Sequence, residues 1–489
     1  MGAVRPAPRM RPVELVDEED DRPWTAGRPA RADAADTGDA GGPDASGARR
    51  RERSWWPWGA GVLVVVVGAA AVATGVTERA ARERADAFAA LPGVVRPLDR
   101  PPVERWRTAA DGPTPVLGAA GALVTLSDAG GRWVVRSSDL TTGATRWEVP
   151  VVEQAGSGFE SVAVACVAGA DASADLLCAW VEPDVVYGTP GGSTNYVPPT
   201  HVIALAGTDG AQHGAWDIEG SVLGLLRHED DVLVATGRSD RHVLVERRDG
   251  TDGTVRWTWT SPVPLVDNGG VRAVPKLVAD GGVVALMANS TTLLDVRTGA
   301  VLEAGPAGQQ ILVAGLPDGG FATWEPVYGG TLRDADGTVR ARVPGLPRPV
   351  VGDGSVDALL IDVGNRAVAV RADDGTVVWR LPTSMTPVAV AHGVVVMAGE
   401  ASVGAVDGAD GRLLWEQELT EAQYIAPLTD GLHVLVPEPD GADGFDLVAR
   451  GLRDGVEAWR VDLPSDLRRL TAVGGRVLAQ TSTEVIVLA

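Results

Sequence analysis

A chain of 489 residues is long enough for several domains, and its net charge of −22 argues against partners that carry phosphate backbones. Residues 1–54 sum to −1 and residues 55–90 to zero, so −21 falls on residues 91–489, and nucleic acid is an unfavourable ligand for that surface. The 61 glycines, with few helix-favouring runs beyond the first hundred residues, point to many short strands and turns.

Residues 1–54 are rich in Pro, Gly, Ala, Asp and Arg. They hold too little apolar surface to offset the entropy of ordering, which predicts a disordered tail. From Gly59 to Val76 there is no charge, and Trp55, Trp56 and Trp58 stand just before it. With that aromatic flank, residues 55–76 can cross ~30 Å of hydrocarbon as one transmembrane helix. A signal peptide is the competing reading, although a long polar tail ahead of it is unusual. Arg49, Arg50, Arg51 and Arg53 outnumber Arg79, Arg82 and Arg84, so the tail is expected in the cytoplasm and residues beyond 76 outside it. Residues 77–102 then read as an Ala-rich juxtamembrane helix over 77–91 and a stiff linker set by Pro92, Pro97, Pro101 and Pro102.

Residues 103–489 are repetitive. In Ala405 to Leu419, Asp407 and Asp410-Gly411 form a tight turn, and Leu413, Trp415 and Gln417 are expected on one face of the strand that follows. Gly stands four residues before Trp at Gly143/Trp147, Gly253/Trp257, Gly375/Trp379, Gly411/Trp415 and Gly455/Trp459. Weaker copies are Gly210 with Trp216, Gly299 with Glu303 and Gly337 with Ala341. Together with Trp106 these mark nine fourth strands of four-stranded units, one unit being spelled out from Thr386 to Leu419. Val103 to Thr108 has no strands before it, and Thr483 to Ala489 has no fourth strand after it. Pairing those two ends would close a ring and leave no long open edge.

The motif in Ala405, Asp407, Gly411 and Trp415 resembles the tryptophan-docking repeat of pyrroloquinoline-quinone-type (PQQ-like) β-propellers, with Thr142-Gly143-x-x-x-Trp147 matching its second half. The resemblance covers roughly residues 100–489. It implies an all-β closed propeller of four-stranded blades, eight by family habit against the nine counted here. It also implies that Trp106, Trp147, Trp216, Trp257, Trp379, Trp415 and Trp459 pack between blades as structural residues. Quinone-dependent members hold their cofactor between a Trp and a disulfide of adjacent cysteines, beside a calcium site. Here the only two cysteines, Cys166 and Cys178, are twelve residues apart. The nearer analogue is therefore the cofactor-free branch, which includes a lipoprotein that scaffolds outer-membrane protein assembly.

If the two cysteines lie on a hairpin centred on Ala172, they stand directly opposite and are close enough for a disulfide, which persists outside the cytoplasm. Two buried thiols are the alternative. No catalytic motif is found, and no cofactor is expected: His201, His213, His228, His242, His392 and His433 share no metal-ligand spacing. Asp-rich turns such as Asp249 to Gly253 lack the ligand spacing of a calcium loop. A membrane-anchored protein-binding scaffold is thus the expected function. An enzyme or small-molecule sensor using the propeller funnel, a degenerate quinoprotein, is the alternative. The longest excursion, Glu182 to Thr200, carries Tyr187 and Tyr196, half of the four tyrosines. It is a candidate partner-binding loop, or else a tolerated insertion over a blade edge.

Overall fold

The computed structural model describes residues 82–489, apart from 111–116, 120, 129–131, 154–163, 170–174, 182–185, 190–191, 196–197, 266, 269–270, 273–274, 307, 326–327, 420–424 and 442–443. The expected tail over 1–54 and transmembrane helix over 55–76 lie outside the described residues. Among those described, no helix is long and apolar enough to cross a membrane.

The repeat unit folds as its turn chemistry dictates. Asp407 accepts the Ala409 backbone N–H on its side chain at 3.0 Å, and its carbonyl accepts the Gly411 N–H at 2.8 Å. Gly411 takes φ +72°, where a side chain is strained. Immediately after the turn the ladder bulges: Val406 faces Leu413 while Ala405 faces Trp415. One extra residue reverses the alternation, so Leu413 points outward at 41% exposure and does not share the Trp415 face, contrary to the period-two expectation. The same register shift follows the corresponding turn in seven other blades.

Nine sheets result. The first blade runs from Leu117–Ala119 to Thr145–Glu153, and the second from Val164–Val167 to Gln212–Ile218. The third runs from Ser221–His228 to Val255–Thr260, the fourth from Lys276–Asp280 to Val301–Ala304, and the fifth from Leu312–Gly315 to Val339–Val343. The sixth holds Leu359–Asp362 to Val377–Pro382, with Pro347 bridging Ile361 in place of a full inner strand. The seventh runs from Thr386–Ala391 to Leu413–Glu418, and the eighth from Leu428–Thr429 to Glu457–Leu463. The ninth joins both ends of the repeat region, Arg469–Val473, Arg476–Gln480 and Glu484–Leu488 being completed by Glu104–Ala109.

Each seam between neighbouring blades carries its own buried apolar cluster. Leu360, Trp379 and Val395 fill the seam between the sixth and seventh blades, and Leu123, Leu478 and Val487 fill the one between the ninth and first. The remaining seven seams are filled likewise, so the clusters link into a ring. A blade cannot bury both faces alone, and closure buries them all.

Candidate functional site

Antiparallel order gives the ring two unlike faces. The links from first to second and from third to fourth strands lie on one, here the turn face. The links from second to third strands lie on the other, the connection face.

On the turn face, tryptophans of the outer strands dock onto the next blade. Trp379 donates its indole N–H to the Gly408 carbonyl at 2.9 Å, beneath Gly411 of the seventh blade. Trp106, Trp147, Trp257 and Trp415 make the same contact with Leu140, Gly207, Val296 and Leu452. Gly143, Gly210, Gly253, Gly299, Gly411 and Gly455 therefore each accommodate the tryptophan of the preceding unit, not their own. In the second blade, Gly214 occupies the usual slot. Trp216, two residues farther along, reaches back beneath Gly253, and its buried indole N–H finds no acceptor. The two seams around the fifth blade use charge instead. Glu303 pairs with Arg333 at 2.8 Å, and Arg340, beside Ala341, donates to the Ala372 carbonyl at 3.1 Å, the position an indole N–H fills elsewhere.

The ninth blade has no turn between its third and fourth strands, because those strands come from opposite ends of the repeat region. A strap over residues 94–98 takes its place. Val95 donates to the Thr429 carbonyl at 3.0 Å, and Arg96 to that of Gly475 at 2.8 Å. The Leu98 N–H reaches the fully buried Asp430 carboxylate at 2.9 Å, while the Leu98 carbonyl accepts Trp459 at 3.1 Å. Upstream, residues 82–88 form a short helix whose Phe88 packs into the seam between the seventh and eighth blades, also on the turn face.

In the second blade Cys166 stands opposite Cys178 on the two innermost strands, joined as a disulfide with Cα atoms 4.1 Å apart. Purified protein should show no free thiol under denaturing, non-reducing conditions. The short loop limits the stabilisation to about 3 kcal/mol at most; two titrating thiols would disprove the bond. The excursion after Cys178 contains a hairpin, Val186–Thr189 paired with Gly192–Asn195, with Tyr187 opposite Thr194. It links second and third strands, so it belongs to the connection face. Tyr196 lies outside the described residues. Where the flanking strands meet the excursion, Trp180 faces His201 with ring centroids 5.4 Å apart, and His201 Nδ1 lies 2.7 Å from Asp217. Sequence reasoning missed this pedestal, because its members lie far apart in the chain and share no motif.

The turn-face mouth of the central channel is a cavity of about 610 Å³ lined by Val167, Leu226, Arg227, Leu428, Leu470 and Val473, among others. Its lining is mostly aliphatic with one guanidinium and no carboxylate. That donor set does not fit a calcium-bound quinone, and the cross-strand disulfide is not one of adjacent cysteines. Among the described residues, no three His, Cys, Asp or Glu side chains converge as metal ligands.

Ring, seams and docking contacts define a nine-bladed β-propeller. A family model described as "Outer membrane protein assembly factor BamB" matches residues 363–489, from the sixth blade to the last strand. BamB from Moraxella catarrhalis is 17% identical, covering 79% of this chain and 99% of its own with a TM-score of 0.45. Quinohemoprotein alcohol dehydrogenase from Comamonas testosteroni is 11% identical, covering 80% and 76% at 0.41. A europium-containing methanol dehydrogenase is 12% identical, covering 79% and 93% at 0.39. No curated protein matches the chain.

Proposed function

We propose that this protein is a single-pass, membrane-anchored scaffold whose extracytoplasmic propeller binds a protein partner through its connection face. The observation that carries this reading is the separation of the two chain features. The helix nearest the expected anchor is docked on the turn face, while the one long hairpin excursion belongs to the opposite face. Val76 and the first described residue, Arg82, can be no more than about 20 Å apart along the chain, so an anchor over 55–76 would tether the propeller by the helix on its turn face. Hairpins on rigid scaffolds are common sites of recognition, and Tyr187 and Tyr196 would supply the aromatic anchors of this excursion.

Deleting Gly188 to Tyr196 should abolish cross-linking of the full chain to its partner in the native membrane and leave the thermal midpoint nearly unchanged. Undiminished cross-linking would defeat the partner assignment, and protection of the propeller from protease added to intact cells would defeat the topology. The channel mouth, aliphatic with one guanidinium, supports a second reading, a small-molecule sensor using the funnel. A degenerate quinoprotein is the form of that reading its lining does not favour, and an absorbance change on adding the quinone with calcium to the purified protein would reinstate it.

A further inference from the structure

The helix over residues 82–88 rests on two blades through Ala85 and Phe88. On one side is Gly431, where an added Cβ would stand 3.1 Å from the Phe88 ring. On the other is His392, its ring centroid 6.4 Å from that of Phe88 at an interplanar angle of 58°. His392 has φ +52°, a left-handed conformation that non-glycine residues rarely adopt. Asp353 holds it there, accepting the His392 backbone N–H at 2.7 Å and lying 3.3 Å from Nδ1. With the ring proton on Nδ1 facing that carboxylate, Nε2 presents a lone pair, and Nε2 is buried without a partner. A neutral lone pair is tolerated in such a place at small cost, whereas an imidazolium N–H with no acceptor is not.

We propose that residues 82–93 are an acid-released latch: protonation of His392 undocks the helix from the seam between the seventh and eighth blades, while the strap over 94–98 stays in place.

The charged groups facing His392 come from three elements: Arg84 on the helix, Asp353 in the segment ahead of the sixth blade, and Arg453 in a turn of the eighth, which donates to the His392 carbonyl at 2.6 Å. Burial lowers the His392 pKa; Asp353 opposes this, and Arg84 and Arg453 add to it. The docked state therefore binds fewer protons. Its stability is complete above the ordinary histidine pKa of about 6.5 and is lost as pH falls through the depressed value. His433, beside the strap, has the opposite sign. Burial lowers its pKa, but Asp430 at 3.0 Å, with Asp99 and Asp454, raises it overall. Its contribution is present below about pH 6.5 and lost as pH rises through the raised value. Acid thus loosens the helix and tightens the strap, so release stops at residue 94 and the ring remains closed. The freed segment adds about 40 Å of reach at ~3.3–3.6 Å per residue. Under the anchored reading, that sets how far the propeller stands from the membrane; the latch itself does not rest on that reading.

A nitroxide on Asp86→Cys, exposed on the helix, tests this in the full chain. Its spectrum should pass from immobile to mobile between about pH 7.5 and about pH 5, the docking constant falling up to about tenfold per pH unit. Tryptophan fluorescence should stay unchanged over that range. His392→Asn tolerates the left-handed backbone and does not titrate, so its profile should be flat, whether docked or free at both ends. A label equally mobile at both pH values in the otherwise unaltered chain overturns the proposal. So does a transition that persists in His392→Asn, or release that coincides with unfolding of the ring.

Discussion

Replacing Trp379 by alanine should destabilise the propeller by about 3–5 kcal/mol. The indole is 5% exposed, fills the seam between the sixth and seventh blades with Leu360 and Val395, and its N–H satisfies the Gly408 carbonyl. Truncation removes the apolar contacts and leaves a cavity that a rigid turn cannot collapse into. The native Ala341 shows what collapse requires. At its seam Gly375 lies close to Ala341 and to the Arg342 carbonyl, and Arg340 supplies the missing donor. Nothing comparable stands beside Trp379. Trp415 is only half-buried, so Trp415→Ala should fall at the lower end of the same range. Gly411→Ala should also destabilise, because its Cβ would come within 2.7 Å of the Trp379 ring at φ +72°. Denaturant midpoints check all three, and a loss below about 1 kcal/mol for Trp379→Ala would remove the docking contact from the account of stability.

Asp430→Ala should cost a similar amount, about 3–5 kcal/mol. This fully buried carboxylate accepts the backbone N–H groups of Leu432, His433 and Leu98 at 2.8, 2.6 and 2.9 Å, and stands 3.0 Å from His433 Nδ1. Removing it strands three part-buried backbone donors and the His433 ring, and frees the strap that completes the ninth blade. Asp430→Asn separates charge from shape. In the unaltered protein, the His433 contribution should decline as pH rises above about 6.5. In the Asn variant that decline should vanish, since the group holding the imidazole proton is gone. An unchanged pH slope would show that His433 does not draw its raised pKa from Asp430. Faster amide exchange at Leu98, with the inner strands still protected, would place the loss at the strap.

Much of this architecture is legible in the chain because its causes are local. An Asp that binds its own turn, a Gly at positive φ and alternating aliphatic residues each act over a few residues, and the repeat then marks the fourth strands. The nine marked fourth strands include the Glu303 and Ala341 units that lack tryptophan, and all nine are outer strands. The pairing of Glu104–Ala109 with Glu484–Leu488 was legible for the same reason, as two incomplete units that complete one another.

The sequence by itself thus determined the strand order and the closure, which follow from short-range turn chemistry repeated along the chain; it marked nine fourth strands but left eight or nine blades open, and the tertiary structure decided for nine. The tertiary structure alone decided which partner each side chain meets. A bulge of one residue turns Leu413 outward, and Trp216 reaches back to a slot its position does not mark. Arg340 stands in for an indole, and the strap joins Leu98 to a tryptophan 361 positions away. Phe88 meets His392 only because two neighbouring blades bring their turns to the same edge of the ring. Such contacts have no periodicity in the chain, because closure brings together residues whose separation along it is set by the whole ring.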